Sequence, residues 1–471
     1  MSLQSIILLS YLAVTIFIGV IAQRKTRTAN SFHGAGLGVL MCVAAGTGEW
    51  LGGTSTTGIS EYGYVFGISG SWYSIANGIG IIIMALLFAK LYRSLDTVTV
   101  PGIIEKYIGL NARIVSSILL TFVMIAVGTS QIVAAGTLGV SVFGMDYVTA
   151  VLILGTGFIV YTLAGGMTAV GYTNMMHLVF MYGGMILAIL LTSRDVGGLS
   201  GMQAALPKSY FSFFSVGMPK VSSWLIASIL GACTAQAGIQ PILAARDVHV
   251  ARKAAVITAF TVAPFGILTA LLGMAAKVKL PGLANAKQAL PSLIMEMNPV
   301  AGGIIFASIL AAVLSTVSPI ILAAGTMITK DIYHRLLQPD ASDKKVLFVS
   351  RITTALSGVL CMVIAIALYD SARILDIVYF AYTLRGSLFV ILLLGIYWKK
   401  TSQRGAISGM VVTSMIGLIW VSFKALNGSY PIHPEFNETY ASVIAALFST
   451  VLFSFLLKNP AIKSKMKSSA L

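Results

Sequence analysis

Charge is what this chain has least of. Asp and Glu number 15 in 471 residues, and all charged residues together make up 10%. A water-soluble domain carries roughly 25%, so an ordinary soluble globule is excluded. Cysteine is scarce too. Cys42, Cys233 and Cys361 all fall inside apolar runs, so they staple no loops and match no metal-ligand spacing. There is no Ser/His/Asp set, no metal cluster and no pair of acids placed for one cavity. An enzyme is therefore not expected. Long polar stretches are also missing, which leaves no room for an appended soluble domain. Net charge is +16, but the basic residues gather in loops between apolar runs. That is the signature of a membrane protein's cytoplasmic side and does not point to nucleic acid.

What is abundant is apolar sequence: 57% hydrophobic residues and a mean hydropathy of +0.91. Runs of about 20 apolar residues, each able to cross a bilayer core as a helix, recur from end to end. A β-barrel would show short alternating segments instead. The first run lacks a basic front and a small-residue cleavage site, so it reads as a retained helix. Thirteen spans are expected, roughly at 3–22, 38–60, 66–92, 112–140, 146–163, 166–193, 220–244, 250–276, 299–330, 346–370, 372–398, 405–425 and 438–458. With the N-terminus outside, 22 Lys and Arg fall on the cytoplasmic side and eight on the other. The expectation is a multi-pass protein of the plasma membrane, of a bacterial inner membrane by its compactness, with the N-terminus out and the C-terminus in.

Charged groups inside spans cost energy and mark function or a buried pair. Two stand out, Glu49 in the second span and Arg385 in the eleventh, both near the midplane by helical rise. Glu49 is the only carboxylate between Ser2 and Ser60. The bland reading of the two is a mutual ion pair; the functional one is a site for a polar solute. Around Glu49 lie Gly46, Gly48, Gly52 and Gly53, each weakening a helix by about 1 kcal/mol relative to Ala. They serve either close helix packing or a break, which membranes tolerate where backbone lines a cavity. Five spans later "GACTAQAGIQP" (231–241) is a second weak stretch, and it contains Gln236. Paired interruptions at matching positions point to inverted repeats. In the ninth span, Ser315 and Thr316 are adjacent hydroxyls followed by Pro319. Their bland reading is bonding to their own helix; the other is a hard-oxygen cage of the kind Na⁺ takes.

These residues resemble the sodium/solute symporters, which include bacterial proline and galactose carriers and animal sugar, iodide and choline carriers. The motifs that carry the resemblance are, in order, the Gly-rich second span, "TVPGIIEKYIG", "YTLAGGMTAVGYTNMMH", "QPILAARD", "AAVLSTVSPIILAAGTMITKDIY" and "LLLGIYWKK". The resemblance implies an all-α polytopic fold of leucine-transporter type, a 5+5 inverted repeat with extra N-terminal and C-terminal helices. Residues 1–37 would hold the extra first helix, 38–193 the first repeat, 220–398 the second, and 399–471 two peripheral helices and a basic tail. It also implies a sodium site made by the carbonyls of Val43, Gly46 and Ala312 and the hydroxyls of Ser315 and Thr316. Positions matching Glu49 and Trp50 face the solute in the family, and Trp50 is a candidate to stack on a solute cation. Gln236 and Arg385 complete the candidate solute contacts.

Two departures from the family pattern bear on coupling. Where the family reads Thr-Asp-x-x-Gln, this chain has Thr173, Asn174 and His177. Asn174 argues against a second sodium, and His177 is a candidate for proton coupling. Arg385 stands where small or apolar residues are usual. The expected function is Na⁺-coupled import of a small polar organic solute: an amino acid or other zwitterion, a carboxylate, or an organic cation. The alternatives are a proton-coupled or uncoupled carrier using Glu49 and His177, and a solute-binding sensor. The sensor is disfavoured because only 13 residues follow Lys458. The lipid bilayer and the solute are the expected partners. No oligomeric state is assigned.

Overall fold

The computed structural model describes residues 2–23, 36–95 and 97–457. The basic cluster of Arg24, Lys25 and Arg27 and the tail from Lys458 lie outside the described residues. The described chain is helical throughout, apart from a single isolated β-bridge. Its helices are α1 (Leu3–Gln23), α2 (Val39–Trp50), α3 (Ile59–Phe66), α4 (Trp72–Leu87), α5 (Ala89–Ser94), α6 (Val100–Tyr107), α7 (Leu110–Phe143), α8 (Tyr147–Asp195) and α9 (Gly198–Ala205). They continue with α10 (Met218–Ala232), α11 (Gln236–Leu243), α12 (Val248–Lys279), α13 (Ala289–Met295), α14 (Pro299–Met327), α15 (Asp343–Leu368), α16 (Ile374–Tyr397), α17 (Gln403–Asn427) and α18 (Glu438–Leu456).

Among the described residues, ten helical stretches are long and apolar enough to cross a membrane, and Leu3–Ile18 and Tyr147–Leu163 are shorter apolar helices. The thirteen expected spans are not reproduced as thirteen separate helices, for two reasons. First, the second and third spans are divided elsewhere than expected. α2 stops at Trp50, a π-helical turn (Thr54–Gly58) leads into α3, and a 3-10 turn (Gly67–Ser71) leads into α4. The chain reverses there. Gly46 and then Gly63 pass Thr258 and then Ala270 of α12, whereas Ser74 and then Gly78 pass Gly266 and then Ala259. Second, the fifth and sixth spans share α8. Tyr161 and Thr173 hydrogen-bond through their hydroxyls.

Burial sorts the helices. The apolar stretch of Pro299–Leu337 is 94% buried and that of Gln403–Asn427 only 28%. α14 is the hub, and α17 turns most of its surface outward, as a lipid-facing helix does. Both expected interruptions are present. The first follows Trp50, at 51–53. The second lies at 233–235, where Cys233 and Thr234 bond back to Leu230 and Gly231 in tight turns before α11 begins. The two broken helices meet twice. Leu37 pairs with the strand-like end of α11, giving and receiving backbone bonds with Ala244 (2.9 Å) and Arg246 (3.0 Å). Nearer the middle, a Cβ on Gly238 would stand 3.0 Å from the Trp50 ring, tighter than ordinary contact, so the ring would have to give by a few tenths of an ångström.

Candidate functional site

The end of α2 carries the first cluster. The last carbonyls of a helix lack intrahelical partners and hold the negative end of its dipole. Here the Gly48 carbonyl accepts from Ser315 Oγ at 3.2 Å and from Thr316 Oγ1, both on α14. Ser315 Oγ also donates to the Ala312 carbonyl at 2.9 Å. Asn174 Nδ2 reaches the Ser315 carbonyl at 3.4 Å, while Asn174 Oδ1 is buried without a partner. A side chain at Gly48 would meet Ser315 Cβ at 3.0 Å and run into the Asn174 amide, so the crossing depends on glycine. The cluster is a set of neutral oxygens, fully or almost fully buried. Such a set fits a small hard cation, and carbonyls at broken helix ends are where membrane transporters coordinate Na⁺.

Ala312, Ser315 and Thr316 are thus brought together as the sequence suggested. The residue of α2 that meets them is Gly48. Gly46 faces Thr258 of α12, where an added Cβ would lie 3.1 Å from Oγ1. Val43 is buried, and the α14 hydroxyls donate to the carbonyls of Gly48 and Ala312 and not to that of Val43.

The second cluster starts one residue on. Glu49 is 6% exposed and Arg385 is 1% exposed, yet no ion pair within 4.0 Å joins them. The bland ion-pair reading does not hold in this structure. Glu49 Oε2 and Arg385 Nε and Nη2 are buried without hydrogen-bond partners. The guanidinium lies 3.5 Å from the Tyr382 ring centre and 5.1 Å from that of Trp50. The two rings meet edge to face at 6.2 Å. Arg385 therefore sits where a solute cation was expected on Trp50. Its backbone carbonyl accepts from Thr234 Oγ1 at 2.5 Å, which ties α16 to the second helix break.

Gln236 does not join this cluster. Its Oε1 accepts from Val100 N at 2.7 Å and its Nε2 donates to the Val98 carbonyl at 3.1 Å. The amide pins the start of α11 to the start of α6. The amide beside the first break is Gln131 of α7. Its Nε2 donates to Thr54 Oγ1 at 2.6 Å, and its Oε1 has no partner.

Aromatic residues run from the charged cluster toward one end of the molecule. Tyr382 and Tyr73 share a hydroxyl contact of 2.9 Å, Tyr73 meets Tyr379 at 5.8 Å, and Tyr379 stacks on Trp224 at 4.7 Å. Trp224 and Tyr379 line a cavity of about 720 Å³, along with Lys220, Arg373, Asp376 and Glu438. Sequence reasoning missed Tyr379 and Tyr382, although a signal was there. They precede Arg385 at steps of three, along one helix face.

His177 lies a turn from Asn174, fully buried. Its Nδ1 bonds the Tyr11 hydroxyl of α1, and its Nε2 has no partner. No hydrogen bond joins it to Glu49.

The opposite end of the molecule is basic and clamped. Arg113 donates from Nε (2.9 Å) and Nη2 (2.5 Å) to Asp331 Oδ1, and from Nη1 to Glu105. Arg335 Nη2 reaches Glu105 Oε1 at 2.5 Å, and Thr99 Oγ1 reaches Asp331 Oδ1 at 2.8 Å. Partial burial pushes the Glu105 carboxyl upward, but the two guanidiniums outweigh it and hold the group below the usual carboxylate range. A cavity of about 890 Å³ opens beside this clamp.

Comparison with known proteins agrees with this arrangement. The model of the sodium:solute symporter family matches residues 32–413. The osmoregulated proline transporter OpuE of Bacillus subtilis is 26% identical, over 98% of this chain and 96% of its own length. The sodium/proline symporter of Escherichia coli is 28% identical, over 96% and 92%. Among solved structures, the outward-open state of a Na⁺-coupled sialic acid symporter superposes with a TM-score of 0.81 at 21% identity, covering 98% of both chains. That likeness shows the fold.

Proposed function

Because this chain belongs to the sodium:solute symporter family, we propose that its own cage of oxygens binds Na⁺ and that the ion drives import of a small polar organic solute. The observation that carries the reading is the meeting of Gly48 with Ser315 and Thr316. It joins the first broken helix to the hub helix, so an ion held there ties two elements that alternating access moves apart. Ala312, Ser315, Thr316 and the Gly48 carbonyl supply the ligands, and the carbonyls of Val43 and Gly46, expected from the sequence, lie earlier on the same helix. The solute lies next to them, at Glu49, Trp50, Tyr382 and Arg385.

Na⁺ and solute then favour each other's binding, with reciprocal coupling. The inward membrane potential adds about 2.3 kcal/mol per charge per 100 mV. The neutral Asn174 beside the cage favours one sodium. The clamped basic end faces the cytoplasm and the aromatic-lined cavity faces outside, with the N-terminus out. In this reading the two repeats run over 38–193 and 220–398. The protein is a transporter of the plasma membrane, as its relatives are transporters and not enzymes.

The test is Na⁺ binding to purified protein without solute, read as a melting-temperature shift against K⁺ and choline at constant ionic strength. A saturable Na⁺-specific shift that Ser315→Ala weakens is expected. Equal shifts with all three cations would refute the sodium site and leave a proton-driven carrier to be tested against pH.

A further inference from the structure

We infer that the solute is a compact zwitterion, whose anionic group pairs with Arg385 and whose cationic group pairs with Glu49. This rests on the symport reading and names the class of solute for that site.

The argument begins with the cost of the arrangement. A buried charge without a partner is among the most expensive features a protein can hold. Here there are two ionisable groups of opposite sign, one next to Trp50 in the chain and one over its ring. Glu49 precedes Trp50 in the chain, and the Arg385 guanidinium lies 5.1 Å from the Trp50 ring. The cheapest arrangement is for them to pair, and they do not.

Packing explains why. The Arg385 guanidinium is held over Tyr382 and beside Trp50. Its stem is pressed against Gly231, where an added Cβ would come within 2.8 Å of Nε. The Arg385 backbone is pinned by Thr234. With the guanidinium held in place, Nε and Nη2 remain free to donate and Glu49 Oε2 to accept. A ligand bringing one acceptor group and one donor group satisfies all three atoms and leaves the site with zero net charge.

Other solutes fit less well. A sugar offers hydroxyls and no charge to either group. An organic cation such as a quaternary ammonium finds the Trp50 and Tyr382 rings already covered by Arg385 and leaves the guanidinium unpaired. A simple carboxylate leaves Glu49 unpaired.

The test is a thermal-shift panel on the full chain in Na⁺. L-proline, L-alanine and glycine are the zwitterions, propionate is the acid, ethylamine and choline are the cations, and glucose is the sugar. A site built to pair a polar group rejects analogues lacking it by large factors. The zwitterions should therefore shift melting at concentrations about 100-fold below those needed for any single-charge analogue. Glu49→Gln should narrow the gap between propionate and the zwitterions, and Arg385→Gln the gap between ethylamine and the zwitterions. The Na⁺-only shift of each variant, measured alongside, reports whether its cage is folded.

An acid, a cation or glucose that shifts the wild type as strongly as the zwitterions overturns the inference. So does a Na⁺ shift with none from any zwitterion. If a variant fails to fold, the wild-type panel decides alone. If Na⁺ itself gives no shift, the coupling reading falls, and the same panel in Na⁺-free buffer still decides the solute class.

Discussion

Gly48 and Glu49 are neighbours in α2, and the clusters they serve are opposite in kind. Gly48 presents a carbonyl to two hydroxyls of α14, and every group there is neutral. Glu49 faces a region where a carboxylate and a guanidinium are buried without partners for three of their atoms. The first cluster is close to satisfied by its own hydrogen bonds, so a cation entering it exchanges one set of neutral contacts for another at modest cost. The second holds unpaired charge, and so has much more to gain from a ligand. A coupled carrier needs both: a cage whose affinity for its ion is moderate, so that the ion is released inside, and a solute site whose groups discriminate.

The largest effect should come from the charged side of this contrast. Arg385→Leu removes the guanidinium and leaves Glu49 as the sole buried charge in its neighbourhood. Solute-dependent uptake in proteoliposomes should fall by about 100-fold or more. Arg385→Lys should fail to restore it, because an ammonium cannot stack on the Tyr382 face and present a planar fork at once. Full activity in the lysine variant would show that only the charge counts.

On the neutral side, Gly48→Ala should do most damage. Its methyl group would push Ser315 and Asn174 apart, at a cost typical of overpacking, about 1–3 kcal/mol. Sodium activation should shift well beyond that of either hydroxyl variant. Thr316→Ala and Ser315→Ala each remove one oxygen and should raise the half-saturating Na⁺ concentration about tenfold, or about 1.4 kcal/mol. Thr316→Ser should return most of it. An unchanged Na⁺ response in Gly48→Ala, measured by uptake against Na⁺ concentration, would place the cage elsewhere on α2.

That contrast also explains what was legible in the sequence. The polytopic helical fold follows from apolar runs too long for a soluble core. The breaks near residues 51 and 233 follow from small and polar residues where a stable helix would not place them. Ser315 and Thr316 stand out as hydroxyls in an apolar span. The register of α2 did not stand out. The stretch from Val43 to Gly48 is nearly all small residues, so no side chain marks which carbonyl faces α14, and Gly48 emerged only from the crossing. Gln236 was misjudged because polarity shows that a buried amide needs partners and not which partners. They proved to be the backbone of Val98 and Val100. Tyr379 and Tyr382 were passed over because aromatics in an apolar helix look like packing, although their three-residue steps toward Arg385 mark one face.

Further from both clusters, effects should shrink. Tyr11→Phe removes the bond to His177 Nδ1 and should cost about 1 kcal/mol of stability, seen as a lower melting temperature. The Na⁺ midpoint should stay within about twofold. A large change in that midpoint would mean that α1 acts on the cage through the His177–Asn174 face of α8.

The smallest expected effect lies at the basic end, and its sign is fixed by Glu105. Arg113 and Arg335 hold this carboxyl below its ordinary range in the folded protein. A depressed folded value means that the clamp contributes fully above the unfolded value of about 4.3. The contribution fades as pH falls through the folded value. Across pH 6 to 8 the melting-temperature difference between wild type and Glu105→Gln should be constant. It should be small, because the ion pairs are partly exposed and screened. Below about pH 4 the two curves should converge. A difference that instead changes between pH 6 and 8 would mean that Arg113 and Arg335 do not hold Glu105 below its ordinary range.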